Sequence, residues 1–243
     1  MRWSALGLFF VLALAALAPA TLIDARLERA SGGRLRLAEA QGSLWSGTGW
    51  IEIRDAEGRA GVAKRLAWRV LPESLLRARL VAEVELDQDA RPFPVAISLS
   101  RIEIAHAGIH LPAAALGLGM PRLAALGLSG DVRVDIAHLS VERGRVDGDA
   151  TLQWRAAGSA LTPISPLGAY EVRFKAAGAV MQANLRTLEG PLQLEGKGTW
   201  SNGDAPSFLA TARVPAQHQE HLSPLFRLIA LERGAGTFEL QLK

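Results

Sequence analysis

Apolar and polar residues alternate along most of this chain. Leu66, Trp68 and Val70 share one parity, with Arg69 on the other. Leu80, Ala82, Val84 and Leu86 oppose Glu83 and Glu85. Val132, Val134 and Ile136 oppose Arg133 and Asp135, and Ala150, Leu152 and Trp154 oppose Asp149, Thr151 and Gln153. Val172, Phe174 and Ala176 oppose Glu171, Arg173 and Lys175. Phe208, Ala210, Ala212 and Val214 oppose Thr211 and Arg213, and Phe238, Leu240 and Leu242 oppose Glu239 and Gln241. A period of two means strands, and one-sided alternation means that each strand buries a single face. That is the signature of antiparallel sheet rather than of a doubly wound α/β core. Another run starts at Val95, Ile97 and Leu99. Its parity changes near Ser100 before Ile102 and Ile104 continue, which predicts a β-bulge there.

A few segments break the alternation. Thr21 with Asp24 has the spacing of a capping box, and Leu22, Ile23 and Leu27 suggest a short helix ended by Gly32 and Gly33. "LPESLLRARL" from Leu71 and "LPAAALGLG" from Leu111 predict short helical turns. "HQEHLSPLFRLIALERGAG" predicts a helix before the last strand. Its Leu222, Leu225, Phe226, Ile229 and Ala230 fall near one face, and Gly234 is its stop.

Residues 4–23 contain no charge: "SALGLFFVLALAALAPATLI". A helix needs about 20 such residues to cross a bilayer. Residues 1–23 are therefore expected to be a membrane anchor, N-terminus inside, with Arg2 as its positive flank. Cleavage after the small-residue pattern "APA" before Thr21 is the alternative. Either way residues 24–243 are expected to form one exported, β-rich domain.

Four stretches echo one another: "LWSGTGWIEI", "LSGDVRVDI", "VDGDATLQW" and "LEGKGTWSN". Each sets a glycine before an alternating run, which predicts a meander of hairpins. The first lies within "QGSLWSGTGWIEI", residues 41–53, and offers Trp45 as a large apolar anchor.

Composition narrows the chemistry. The net charge of +3 is small for 243 residues, and basic residues are scattered rather than striped, so no nucleic-acid partner is expected. The chain has no cysteine, which removes disulfides, thiolate metal sites and thiol nucleophiles. The glycine-rich stretches fail every phosphate template. Gly47-Thr48-Gly49 and Gly117-Leu118-Gly119 lack the third glycine of GxGxxG. Around Gly196-Lys197-Gly198 the lysine is followed by glycine, not Ser or Thr. Ser43 and Ser46 have the wrong spacing for a nucleophile elbow. His106 and His110 would stand about 13 Å apart on a strand that rises about 3.3 Å per residue. His218 and His221 in "HQEH" lack the HExxH pattern, and His138 stands alone. No catalytic, cofactor-binding or metal-ligating residue is assigned, and no enzyme activity is expected.

The ordered set of segments resembles protein N of the bacterial type II secretion system. Gly42, Leu44, Trp45 and Gly47 carry the first part of the likeness. Ser165, Pro166, Leu167, Gly168 and Tyr170 carry the second. Gly190, Pro191 and Leu192 with Gly196, Gly198 and Trp200 carry the third. The resemblance implies an accessory inner-membrane component whose partners include the inner-membrane platform proteins and the secretin. It gives no catalytic residue to carry over. A wider similarity to AsmA-like groove proteins implies a curved half-pipe sheet with an apolar inner face. It also supplies the alternative of a periplasmic lipid-binding or lipid-transport groove. The expected fold is thus a transmembrane helix, then a curved, mostly antiparallel sheet with a few short helices.

Overall fold

The computed structural model describes residues 17–55, 57–87, 91–119, 121–201, 207–222, 230–234 and 237–242. The expected anchor falls mainly on residues outside this set. No described helix is long and apolar enough to cross a membrane. Antiparallel strands make up most of the described chain, with a few short helices. The contacts divide it into two units, Met1–Leu99 and Ser100–Lys243.

The first unit is a meander of β1 (Leu35–Gly42), β2 (Ser46–Arg54), β3 (Ala60–Leu71), β4 (Leu80–Leu86) and β5 (Phe93–Ile97). Cross-strand pairing sets the predicted parity on one face: Trp68 pairs with Val84 and Val84 with Phe93, while Val70 pairs with Ala82 and Ala82 with Val95. Helix α1 (Thr21–Ala30) covers part of that face. Its Ile23 and Leu27 pack with the buried Ala20, Leu37 and Trp68. The predicted capping box does not form. Ala20 is the N-cap without a side-chain bond, and the Asp24 carboxylate instead accepts the Leu37 amide at 2.8 Å. A short turn, Pro72–Arg77, appears where "LPESLLRARL" predicted one.

In "QGSLWSGTGWIEI" the glycines lie mostly inside the sheet rather than in a loop. Gly42 pairs with Gly47 to frame the 43–45 turn, and Gly49 lies within β2. A Cβ on Gly47 would come 2.5 Å from Cζ2 of Trp68, and one on Gly49 would come 2.8 Å from Cδ1 of Leu37. These glycines make room for the core side chains beside them. The buried anchor is therefore Trp68, 8% exposed, whose indole N–H donates to the Ser43 carbonyl at 3.2 Å. Trp45 is only half-buried.

The second unit contains β6 (Arg101–Pro112), β7 (Leu128–Glu142), β8 (Arg145–Ser159), β9 (Gly168–Ala177), β10 (Val180–Glu189), β11 (Gln193–Ser201), β12 (Ser207–Arg213), β13 (Ala230–Gly234) and β14 (Thr237–Leu242). Their order is β6-β7-β8-β9-β10-β11-β12-β14-β13. The expected bulge near Ser100 is instead a break between β5 and β6, because the chain leaves one strand and starts another. The irregularity in β6 lies at His106, which has a positive φ of 54° and is skipped in the register with β7. Short helices at Ala113–Ala115 and Leu116–Gly119 match the prediction from "LPAAALGLG". The predicted helix before the last strand is only partly right. Residues 219–222 are helical, but Ala230–Gly234 is strand β13, paired with β14. Leu225, Phe226 and Ile229 lie outside the described residues.

The echo segments are also reassigned. Gly130, Gly148, Gly196 and Gly198 lie within strands, not at hairpin turns. The β7–β8 reversal is at Arg143 and Gly144 instead. Period-two parity located the strands, but a glycine inside a strand and a glycine in a turn look alike in one dimension.

Candidate functional site

The two faces of the second unit's sheet differ in chemistry, and register creates both. On one face His110, Arg133, Gln153, Glu171, Arg186, Glu195 and Thr211 follow one another across seven strands. Glu171 is the hub of this row and is 4% exposed. It accepts hydrogen bonds from Arg173 at 2.7 Å, Arg186 at 2.8 Å and Gln153 at 3.3 Å. Burial raises the cost of its charge, but the hydrogen bonds from Gln153, Arg186 and Arg173 outweigh it. Its pKa lies below the ordinary value of 4.5. All three of these side-chain partners are donors, and Glu195 flanks Arg186 on its other side. The group is a structural ionic cluster.

On the other face Ile109, Val134, Leu152, Val172, Leu185, Gly196 and Ala210 form a continuous apolar row. A parallel row runs through Ala107, Ile136, Ala150, Phe174, Ala183, Gly198 and Phe208. Burial is concentrated at one end of this face. There Leu126, Ala157, Leu167, Tyr170, Leu192, Ala212, Val214 and Leu222 form the core cluster, with Trp154 and Leu194 against it. Val134, Ile136, Leu152, Val172 and Phe174 lie outside that cluster and are half-buried.

Tyr170 ties the closed end together. Its hydroxyl lies 3.0 Å from the Leu192 carbonyl and 3.2 Å from the Leu167 carbonyl, and its ring centroid is 5.8 Å from that of Trp154. Burial raises the phenol pKa, so the hydroxyl stays protonated and able to donate. The Leu192 amide donates to the Leu167 carbonyl at 3.1 Å. Gly190 packs so closely on Gly168 that a Cβ there would meet the Gly168 Cα and come 2.7 Å from the Leu167 carbonyl. The peptide between Ser165 and Pro166 is cis. Thus "SPLGAY" and "GPLQLEGKGTW", separate in sequence, are one structural junction. Farther along the same sheet Trp200 and Phe208 stack at 6.3 Å.

The histidines do not converge. His106 and His110 lie on β6, His106 at the irregularity that the β7 register skips and His110 opposite Arg133, and both are exposed. His138 is on β7 and is exposed. His218 ends a short 3-10 turn with Gln217 3.2 Å from its Nε2, and His221 is exposed. Among the described residues no cluster of three metal-ligating side chains occurs.

Sheet edges are the remaining features suited to recognition, because an edge offers unpaired backbone groups. The outer edge of β1 is covered. Asp24 accepts the Leu37 amide, the Ser31 hydroxyl accepts the Leu35 amide at 3.0 Å, and residues 18–20 bond along the 42–44 stretch. In the second unit β13 is the last strand in the order.

These features define a β-sheet protein with polar ladders, an apolar face and strand edges. A family model described as type II secretion system (T2SS), protein N, matches residues 33–241, and the chain belongs to that family. It is therefore a type II secretion component, as the resemblance in sequence implied. No curated protein and no solved structure matches the chain.

Proposed function

We propose that this chain is a non-enzymatic accessory component of the type II secretion apparatus, held at the inner membrane by its N-terminal apolar run. The family match over residues 33–241 carries this reading. The sheet would lie in the periplasm and link the inner-membrane platform to the secretin. Strand addition is the proposed mode of contact. The covered edge of β1 directs that contact to β13. Deletion of the gene tests the role: secreted proteins are expected to accumulate in the periplasm. Unchanged export counts against a required part in secretion. Crosslinks placed along Ala230–Gly234 test the contact, which fails if neither platform nor secretin is captured in secreting cells.

A second reading rests on the half-buried apolar rows through Val134, Leu152 and Val172 and through Ile136 and Phe174. Such a face is long enough in register to hold an acyl chain. Native mass spectrometry of the detergent-extracted protein checks it. Copurified phospholipid supports a lipid-handling groove, and lipid-free protein counts against one.

A further inference from the structure

The first unit leaves most of its exposed large apolar side chains at one end of its sheet. Leu17 is 79% exposed, Leu76 90% and Leu99 104%; Leu22, Leu75 and Ile97 lie between 43% and 51%. Register brings these positions together. The Leu44 amide donates to the Ala18 carbonyl, so Leu17 emerges beside the β1–β2 turn. The Ala20 amide donates to the Gly42 carbonyl, so α1 starts there with Leu22 in its first turn. The Val70 amide donates to the Trp45 carbonyl, so β3 leaves the sheet at the same end and enters the turn that carries Leu75 and Leu76. Leu80, the first residue of β4, pairs with Ile97, so β5 also ends there and Leu99 follows.

Glu73, Arg77 and Arg79 are also exposed beside Leu75 and Leu76, so that end mixes charge with large apolar side chains, whereas the opposite end is charged. It carries Arg34 after α1, Asp55, Glu57 and Arg59 between β2 and β3, and Asp87 after β4. None of the exposed large apolar residues lies there. An apolar patch gathered at one end of a domain marks a contact surface.

The N-terminal sequence says what meets it. Residues 4–16 are uncharged and lead directly to Leu17. Ala18 is already hydrogen-bonded to the sheet, Pro19 bridges to Ser43, and Ala20 is 1% exposed. No spacer separates the apolar run from the folded unit. A run inserted in a bilayer would hold this end against the lipid.

We propose that the end of the first unit formed by Leu17, Leu22, Leu75, Leu76, Ile97 and Leu99 lies in the bilayer interface. The charged end then points into the aqueous space. This rests on the membrane-anchored reading above and adds the face that touches lipid.

The absence of cysteine allows single-site labelling. The full chain is reconstituted into phosphatidylcholine–phosphatidylglycerol vesicles with a spin label at L76C, L99C or E57C. All three positions are exposed, so the labels need not disturb the core. Collision with a water-soluble nickel complex and with oxygen is then measured. Labels at 76 and 99 are expected to show a severalfold drop in nickel collision and a rise in oxygen collision relative to 57. Equal nickel access at all three sites, in protein that floats with the vesicles, overturns the proposed orientation and leaves the anchor standing. Protein that does not float overturns the anchor and the orientation together.

Discussion

The Tyr170 hydroxyl lies 3.0 Å from the carbonyl oxygen of Leu192, 22 residues further along the chain. Both groups sit in the core, with Tyr170 2% exposed and Leu192 3%. This bond joins two of the segments that carry the resemblance read from the sequence. The two segments meet at one end of the sheet, within its core cluster.

Tyr170→Phe keeps the ring against Trp154 but removes the donor. The Leu192 and Leu167 carbonyls then lose a partner in a buried setting, a loss of about 1–3 kcal/mol. Urea unfolding is expected to show a lower midpoint with an unchanged slope. An unchanged midpoint would remove the hydroxyl from the account of this junction.

Trp68→Ala and Trp45→Ala separate two tryptophans that sequence treats alike. Trp68 is buried over Gly47, so its loss is expected to cost about 3–5 kcal/mol. Trp45 is half-buried and is expected to cost less. Gly47→Ala adds a methyl toward the Trp68 ring and the Gln41 carbonyl, and is expected to cost about 1–3 kcal/mol by overpacking. Thermal melts of the three variants give the order directly.

Glu171 couples the fold to pH. Its folded pKa is depressed, so its charge contributes stability above the ordinary carboxylate value of 4.5. That contribution is lost as pH falls from there through the folded pKa. Glu171→Gln lacks it at every pH. The stability gap between parent and variant is therefore expected to be full at pH 7 and to narrow on acidification below about pH 4.5. Urea midpoints across pH 7 to 3 check this, and a constant gap would contradict it.

Asp24→Ala uncovers the edge of β1 at Leu37, while Ser31 and residues 18–20 still cover its two ends. The Leu37 amide loses its acceptor, and the nearby Arg36, 4.0 Å from that carboxylate, loses its counter-charge. The expected stability loss is about 1 kcal/mol, with more self-association because an uncovered edge is a pairing template. Sedimentation of parent and variant at matched concentration reads the second effect.

Most of the strands could be read from the chain. The parity of Leu80 to Leu86, of Val132 to Ile136 and of Val172 to Ala176 is local information, and each run became a strand whose apolar residues share one face. The errors fell where local signals have two meanings. A positive-φ bulge at His106 leaves no mark in composition. Gly148 inside β8 resembles a turn glycine. The stretch from His218 to Gly234 has helical spacing, yet Ala230–Gly234 pairs with β14. There the gain from cross-strand bonding depends on a partner strand that periodicity cannot see.

The sequence by itself determined the strand faces, the lack of thiol chemistry and of recognisable catalytic motifs, and membership of a family carried by ordered glycines, prolines and aromatics. These follow from residue type and spacing alone. Only tertiary structure decided that Trp68 rather than Trp45 is buried, that Glu171 gathers two arginines, and that Asp24 seals an edge. It also decided that Leu17, Leu76 and Leu99 share one end of a unit. Each of these depends on which strands pair and in what register, and register sums interactions between residues that are far apart in the chain.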